Sequence, residues 1–419
     1  MRPRPGWGSL GAAGTGGPEQ GEPGGRGGGV PVINRIAAFH DDMTAWRRDL
    51  HAHPETAFEE ERTSALVAGK LAGFGLEVHR GLAGTGVVAT LRAGSGSRAI
   101  ALRADMDALH IQELNDFAHR SRHDGKMHAC GHDGHTAMLL GAARYLAETR
   151  HFDGTVHFVF QPAEENEGGG RVMVEEGLFD RFPVEAVYGM HNWPGMEVGR
   201  FGVLEGPVMA AFDVFEITIE GRGCHAAMPH LGVDPVVAAG SVIQNLQIIV
   251  SRRVSPLDSG VVSLTQIHGG DTWNVIPETV VMRGTARSFE AATRDLIEAT
   301  IHAIGAGVEA THGVKVTLRY DRRYPATINT AAETELAATA AGDVVGATSV
   351  LRDLEPSMAS EDFAFMLQAR PGAYVWIGNG SAEDGRMLHS PHYDFNDEIL
   401  PIGATWWARL VETVLPASA

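Results

Sequence analysis

The chain has 419 residues, 44% of them hydrophobic, and a formal charge of −18. That length exceeds one ordinary domain and points to about two, with enough apolar content for sizeable cores. The negative balance excludes nucleic acid and anionic membrane surfaces as main partners, and no window approaches the roughly 18 apolar residues of a membrane span.

The first 30 residues are rich in Gly and Pro and lack the apolar core of a signal peptide. They read as a disordered tail, or equally as the product of a wrongly assigned start codon. The folded chain is expected to begin near Pro31–Arg35. Two cysteines, Cys130 and Cys224, are not needed as a staple in a chain this long, and a cytoplasmic setting would keep Cys130 a thiol.

"NRIAAFHDDMTAWRRDLHAH" and "ETAFEEERTSALVAGKLAGFG" have the apolar spacing of helices, the second stopping at Gly. "GVVATLRA" and "RAIALRAD" read as strands joined by "GSGS". A helix "TAMLLGAARYLAET", a strand "GTVHFVFQ", a short helix "GGGRVMVEEGLF" and a strand "VEAVYGMHNW" follow. This alternation predicts a parallel or mixed α/β sheet covered on both faces.

The middle of the chain changes character. Strand "AAFDVFEITIEG", helix "DPVVAAGSVIQNLQIIVSRR", strands "GVVSLTQIHGG" and "ETVVMRGTARSF", helix "EAATRDLIEATIHAIGAGVEATH" and strand "VKVTLRY" give the order β-α-β-β-α-β. That is a ferredoxin-like unit. It predicts a domain over residues 207–322 inserted into a larger α/β domain made of residues 31–206 and 323–419. "TAAETELAATAAGDVV", "SEDFAFMLQ", "GAYVWIG" and "ATWWARLVETVL" complete the larger domain.

The stretch "KMHACGHDGH" concentrates metal-capable groups. Cys130 and His132 lie in a Gly-containing loop before a helix. Glu164 and Glu165 follow a strand, His191 ends another, and His389 sits in the loop after the last strand. Open α/β sheets bind ligands at the carboxyl ends of their strands, so separate segments can deliver these groups to one edge. Five ligands exceed the need of one tetrahedral zinc and suit a metal pair, which would acidify a water and offset charge developing on a carbonyl. A general base is still required. One carboxylate of "PAEE" can serve as ligand and the other as base, and spacing leaves open which does which.

"RADMDAL", "ACGHDGH", "QPAEE", "GMHNWP", "GRGCHAAMPH", "NVIPE", "SEDFAFM" and "LHSPHYDFND", in this order, resemble the hippurate hydrolase and auxin-conjugate hydrolase group. These are binuclear metal amidohydrolases related to aminoacylases and carboxypeptidases, and the resemblance runs from about Ile33 onward. It implies a metallopeptidase-like catalytic domain with an inserted lid and dimerisation domain. It implies two divalent ions per subunit (Mn, Zn, Co or Ni), with Cys130 bridging and His132, Glu165, His191 and His389 as the other ligands. Glu164 is implied as general base. His225 is implied to reach a partner subunit's site and polarise the scissile carbonyl, and Asn274 to contact the substrate carboxylate. The expected substrate is an N-acyl amino acid and the expected assembly a homodimer or higher homo-oligomer. A metallo-exopeptidase is the rival within the class, and a non-catalytic binder of amino-acid conjugates the rival outside it.

The chain departs from the group at His110, where Pro is usual, and at Cys224, where Gly or Ser is common. Asp107 is read as a residue that supports a ligand. The remaining histidines have plainer readings. His51 and His53 finish a helix before Pro54, His128, Asp133 and His135 shape a loop or start a helix, and His230 fixes the turn around His225. "GGG" at 168–170 has no Lys-Ser/Thr after it, so it is not a P-loop.

Overall fold

The computed structural model describes residues 33–417. The expected tail over residues 1–30 lies outside the described residues. The larger unit is built on strands β1 (Glu77–Leu82), β2 (Gly86–Ala93), β3 (Ala99–Asp105), β4 (Gly154–Gln161), β5 (Ala186–Pro194) and β6 (Phe201–Gly202). Short strand β7 (Gly206–Met209) leads into the smaller unit. There β8 (Ala211–Glu220), β9 (Cys224–His225), β10 (Gly260–His268), β11 (Val275–Ile276), β12 (Thr279–Ser288) and β13 (Lys315–Tyr324) follow. The chain returns through β14 (Thr327–Asn329) and adds β15 (Val350–Leu351) and β16 (Gly372–Gly380).

The large sheet runs β1-β2-β4-β3-β5-β16-β6-β15. Its centre is parallel: β4 with β3, β3 with β5, and β5 with β16. Central strands are buried on both faces, so they read as continuous apolar runs, such as "GAYVWIG" in β16. One face packs against helices His132–Thr149, Ala331–Val345 and Leu400–Val414 in a core that includes Leu102, Phe158, Val375 and Trp406. The other face carries a second core around Val187, Phe363, Tyr374 and Trp376.

The smaller unit has a four-stranded sheet, β10-β12-β8-β13, and its own core of Phe215, Ile217, Ile219, Val242, Leu246 and Ile297. Residues along β8 alternate between buried and half-buried, because helices Pro235–Ile248 and Ala291–His312 cover one face only. Asp234 starts the first of these by accepting from the N–H groups of Val236 and Val237, with Pro235 following. The α/β catalytic-type unit with a ferredoxin-like insert is therefore the observed architecture. The leading strands β7 and β14 pair antiparallel, so the chain enters and leaves the insert side by side.

Some local expectations change. The first predicted helix is broken into Asn34–Ala37 and His40–Ala52, with Phe39 between them buried in the core. The second starts only at Glu61. The segment "GGGRVMVEEGLF" holds two short helices, Gly169–Glu175 and Leu178–Arg181, interrupted at Gly177. Strand β1 was not expected, because "EVHRGL" is an edge strand with one buried side chain and carries no apolar alternation.

Candidate metal centre

The C-terminal ends of the parallel strands supply the site. Asp105 closes β3 level with Gln161 at the end of β4. Asp107 and the Glu164–Glu165 pair lie just beyond. His191 stands near the end of β5, beside Trp376 of β16.

Cys130 and His132 reach this edge through a tight turn. Gly131 has φ +94° and precedes the helix His132–Thr149. A Cβ at this position would lie 2.3 Å from Asn192 Nδ2 and 2.5 Å from the Tyr393 hydroxyl, so only Gly fits. Those same neighbours hold the turn: Asn192 Nδ2 donates to the Cys130 carbonyl (2.7 Å), and the Tyr393 hydroxyl donates to Asn192 Oδ1 (2.8 Å). The loop bearing His389 is tied to it through the His389 N–H, which donates to the Ala129 carbonyl (2.8 Å). His389 itself has φ +62°, an unusual conformation for a non-Gly residue.

All five predicted ligands meet here. Cys130, His132 and His191 form one triad, and Cys130, Glu165 and His389 another, each with its donor atoms within 4.8 Å of one another. Cys130 belongs to both. Glu164 groups with His132 and Glu165 in the same way. The Cys130 thiol lies 3.3 Å from His191 Nε2, and His389 Nε2 lies 3.1 Å from Glu165 Oε1.

The imidazoles are oriented from behind. His191 Nδ1 donates to the Asn192 carbonyl (2.6 Å), which leaves Nε2 with its lone pair toward Cys130. His132 Nδ1 pairs with Asp107 (3.2 Å), and its Nε2 is buried without a hydrogen-bond partner. Such an orphan is the position a metal would satisfy. His135 also lies within reach, but its Nδ1 pairs with Asp105 (2.6 Å) and its Nε2 accepts from the Asn192 N–H (3.0 Å). Both ring nitrogens are thereby used, as the plain reading of His135 expected.

The electrostatics call for a cation. Burial pushes the Cys130 thiol pKa well up, and the charges of Glu165 and Glu164 add to it. Burial also raises Glu164, helped by Glu361, Glu165 and Asp362. Burial lowers His132, but Asp105 and Asp107 overcome it and hold the pKa at about 10. His191 is pushed well below the usual imidazole range by burial and by neighbouring His135. His389 is raised by its hydrogen bond to Glu165. A divalent ion would displace the protons that Cys130 and His132 hold, leaving a thiolate, imidazoles and a carboxylate, a donor set that such an ion fits.

Sequence reasoning missed the layer beneath. Arg103 is fully buried and binds Gln161, Asp105, Glu361 and Asp362 at 2.7–3.1 Å. Glu361 also accepts from the Tyr374 hydroxyl, and Asp362 from the Gly170 N–H (2.7 Å). The available signal was the charge in "RAD" at the end of an otherwise apolar strand and in "SED" before a helix. His51 does more than finish a helix: its ring is buried between Asp133 (2.9 Å) and Glu113 (3.3 Å).

His225 and Asn274 lie elsewhere, in the insert. Strands β9 and β11 pair Val275 with His225, and the Ala226 N–H donates to the Asn274 carbonyl (2.9 Å). His225 is exposed, and its Nδ1 accepts from the Ala227 N–H (3.1 Å). The two are thus brought together with each other. Neither joins any of the metal-capable groupings among the described residues.

A mixed α/β sheet that gathers a thiol, three imidazoles and paired carboxylates at its C-terminal edge defines a metal-dependent hydrolase. The model of peptidase family M20/M25/M40 matches residues 101–413, and the chain belongs to that family. It is 38% identical over 379 residues to the hippurate hydrolase of Campylobacter jejuni, covering 90% of this chain and 98% of the relative. An N-acetylcysteine deacetylase of Bacillus subtilis is 39% identical over 380 residues, again covering 90% and 98%. Among solved structures, the Bacillus subtilis YXEP protein, described as a dinuclear metal-binding peptidase of family M20, is 35% identical. It superposes with a TM-score of 0.79 over 91% of this chain and all of that one.

Proposed function

We infer that the protein hydrolyses the amide bond of N-acyl amino acids, releasing a carboxylic acid and a free amino acid. The observation that carries this reading is Cys130, whose thiol is shared by two ligand triads. That sharing supports a pair of divalent ions, which Cys130, His132, His191, Glu165 and His389 would hold, with Cys130 as the donor common to both triads. Thiolate and imidazole suit zinc, cobalt or nickel, and the carboxylate and water suit manganese. When bound, the ions supply a water of low pKa and offset charge on the scissile carbonyl.

The chain's own residues do the rest. Glu164 is the general base: it takes a proton from the attacking water and delivers it to the leaving amine. Burial and the neighbouring Glu361, Glu165 and Asp362 raise its pKa, which strengthens it as a proton acceptor. His225 polarises the carbonyl oxygen, and Asn274 holds the substrate carboxylate, both from the insert. With His225 exposed on its own subunit, the reading places it at a partner's site in a homodimer. Exposed Val236, Val237 and Ile248 on helix Pro235–Ile248, Val250 in the turn after it, and Val261 and Ile267 on β10, an edge strand paired only with β12 among the described residues, support the insert as the dimer face. No described helix is long and apolar enough to cross a membrane, and a buried free thiol at Cys130 supports a reducing, cytoplasmic setting.

The test is a panel of benzoyl-, acetyl- and indole-acetyl-amino acids and dipeptides, assayed on protein loaded with each metal. Turnover of acyl-amino acids is expected. Turnover confined to dipeptides would make the protein an exopeptidase, and binding without turnover would make it a silent member.

A further inference from the structure

The loop that presents Glu164 and Glu165 is tethered at several of its backbone groups by side chains from outside it. Ala163 (φ +55°) and Asn166 (φ +69°) both occupy the left-handed region, which costs a non-Gly residue roughly 1 kcal/mol or more. Something outside the loop must hold them there. Glu60 accepts from the Ala163 N–H (2.9 Å), Asp107 from the Glu165 N–H (2.9 Å) and Asp362 from the Gly170 N–H (2.7 Å). These three tethers come from the catalytic unit.

The fourth does not. Tyr324 is the last residue of β13, the strand that leaves the insert, and its side chain is buried. Its hydroxyl donates to the Glu164 carbonyl (2.6 Å) and accepts from the Gly168 N–H (3.1 Å), so one oxygen spans the loop. The Tyr324 ring meets Phe212 edge-on at 6.2 Å, and Phe212 lies at the start of β8, the strand that enters the insert. The Arg287 guanidinium of β12 covers the Phe212 ring at 4.0 Å and donates to Ser360 Oγ (2.9 Å), next to Glu361. Both strands that join the two units therefore converge on the segments around Glu164.

We propose that Tyr324 is a positioning residue that fixes the backbone of Glu164 and makes the seating of the insert and the placement of the base one mechanical unit. The proposal rests on the reading of Glu164 as general base. It follows from the hydrogen-bond geometry: the hydroxyl bonds the Gly168 N–H and the Glu164 carbonyl, so the tyrosine acts on Glu164 through its backbone.

The experiment compares Tyr324→Phe, Glu164→Gln and the double variant on metal-loaded protein. The readouts are kcat and KM on N-benzoylglycine and N-acetyl-amino acids, bound metal, and melting temperature. Tyr324→Phe is expected to lower kcat about tenfold or more, since small misplacements of a catalytic group are costly, with KM within about twofold and metal content unchanged. In the Glu164→Gln background the same change should alter residual activity by less than about twofold, because a residue acting through Glu164 has nothing left to position. An unchanged kcat, a loss of metal, or full multiplicativity in the double variant would each overturn the proposal. A fully active Glu164→Gln overturns the base assignment itself, whatever Tyr324→Phe does. Para-aminophenylalanine and para-methylphenylalanine at position 324, similar in size with and without a donor, repeat the comparison should Tyr324→Phe fold poorly. Only the first should keep near-normal kcat, and equal kcat for both would overturn the proposal.

Discussion

Asp107 Oδ1 lies 3.2 Å from His132 Nδ1, and the opposite nitrogen of that ring is buried with no hydrogen-bond partner. The carboxylate thus fixes which nitrogen carries the proton and which is free to bind a metal. Its second oxygen accepts from the Glu165 N–H (2.9 Å), so one side chain orients two candidate ligands from different segments, a helix start and a loop. Asp107→Asn should weaken metal binding about 10- to 100-fold while the protein stays folded. A chelator competition titration measures it, and an unchanged affinity would remove Asp107 from the site.

Glu164→Gln should keep its metal and lose activity by a factor of roughly 10² to 10⁴, the usual worth of a positioned base. Metal analysis and kcat on the acyl-amino-acid panel give both halves of the expectation. Full activity would mean that another group takes the proton.

Cys130→Ala removes the only donor common to both triads. Bound metal per chain should fall. Retention of two ions would sink the bridging role and leave the thiol as a bystander.

His51 offers a pH test of the packing behind the helix that starts at His132. Burial lowers its pKa, but its bonds to Asp133 and Glu113 prevail and hold it up at about 9. The folded state therefore prefers the charged ring. Its contribution is complete below about pH 6.5 and is lost as pH rises through about 9, up to about 3 kcal/mol for such a shift. His51→Gln should lower the melting temperature most at pH 6, and the deficit should shrink toward pH 10. A deficit independent of pH would show that the ring only fills space.

Much of the candidate site was legible because its residues sit in short motifs just after apolar strands or in a Gly-containing loop before a helix, at the sheet edge where open α/β folds place chemistry. Cys130, His132, the Glu164–Glu165 pair, His191 and His389 could be named as candidates from their segments, while the division of that pair into base and ligand came only from the family resemblance. The β-α-β-β-α-β order of the insert was equally plain, since each element carries its own period. What could not be read was the support. Arg103 looks like any charged residue in a strand until Glu361 and Asp362 arrive from far along the chain. Tyr324 sits in "DRRYP", a segment with no pattern, and its significance comes from a loop more than a hundred residues earlier. His51 read as a helix end because its partners, Asp133 and Glu113, are not local.

The pairing of β16 with β5 has a consequence for how the molecule is made. Strand β5 leaves the ribosome long before β16, with the entire insert between them, and the central sheet stays open in the meantime. The insert can close its own core first, since its strands pair among themselves. His389 follows β16, so the full set of donors assembles only after β16 has been made. A growing chain therefore holds a partial donor set beside an unfilled sheet edge, the stage at which long-range β pairing is slow and exposed to aggregation.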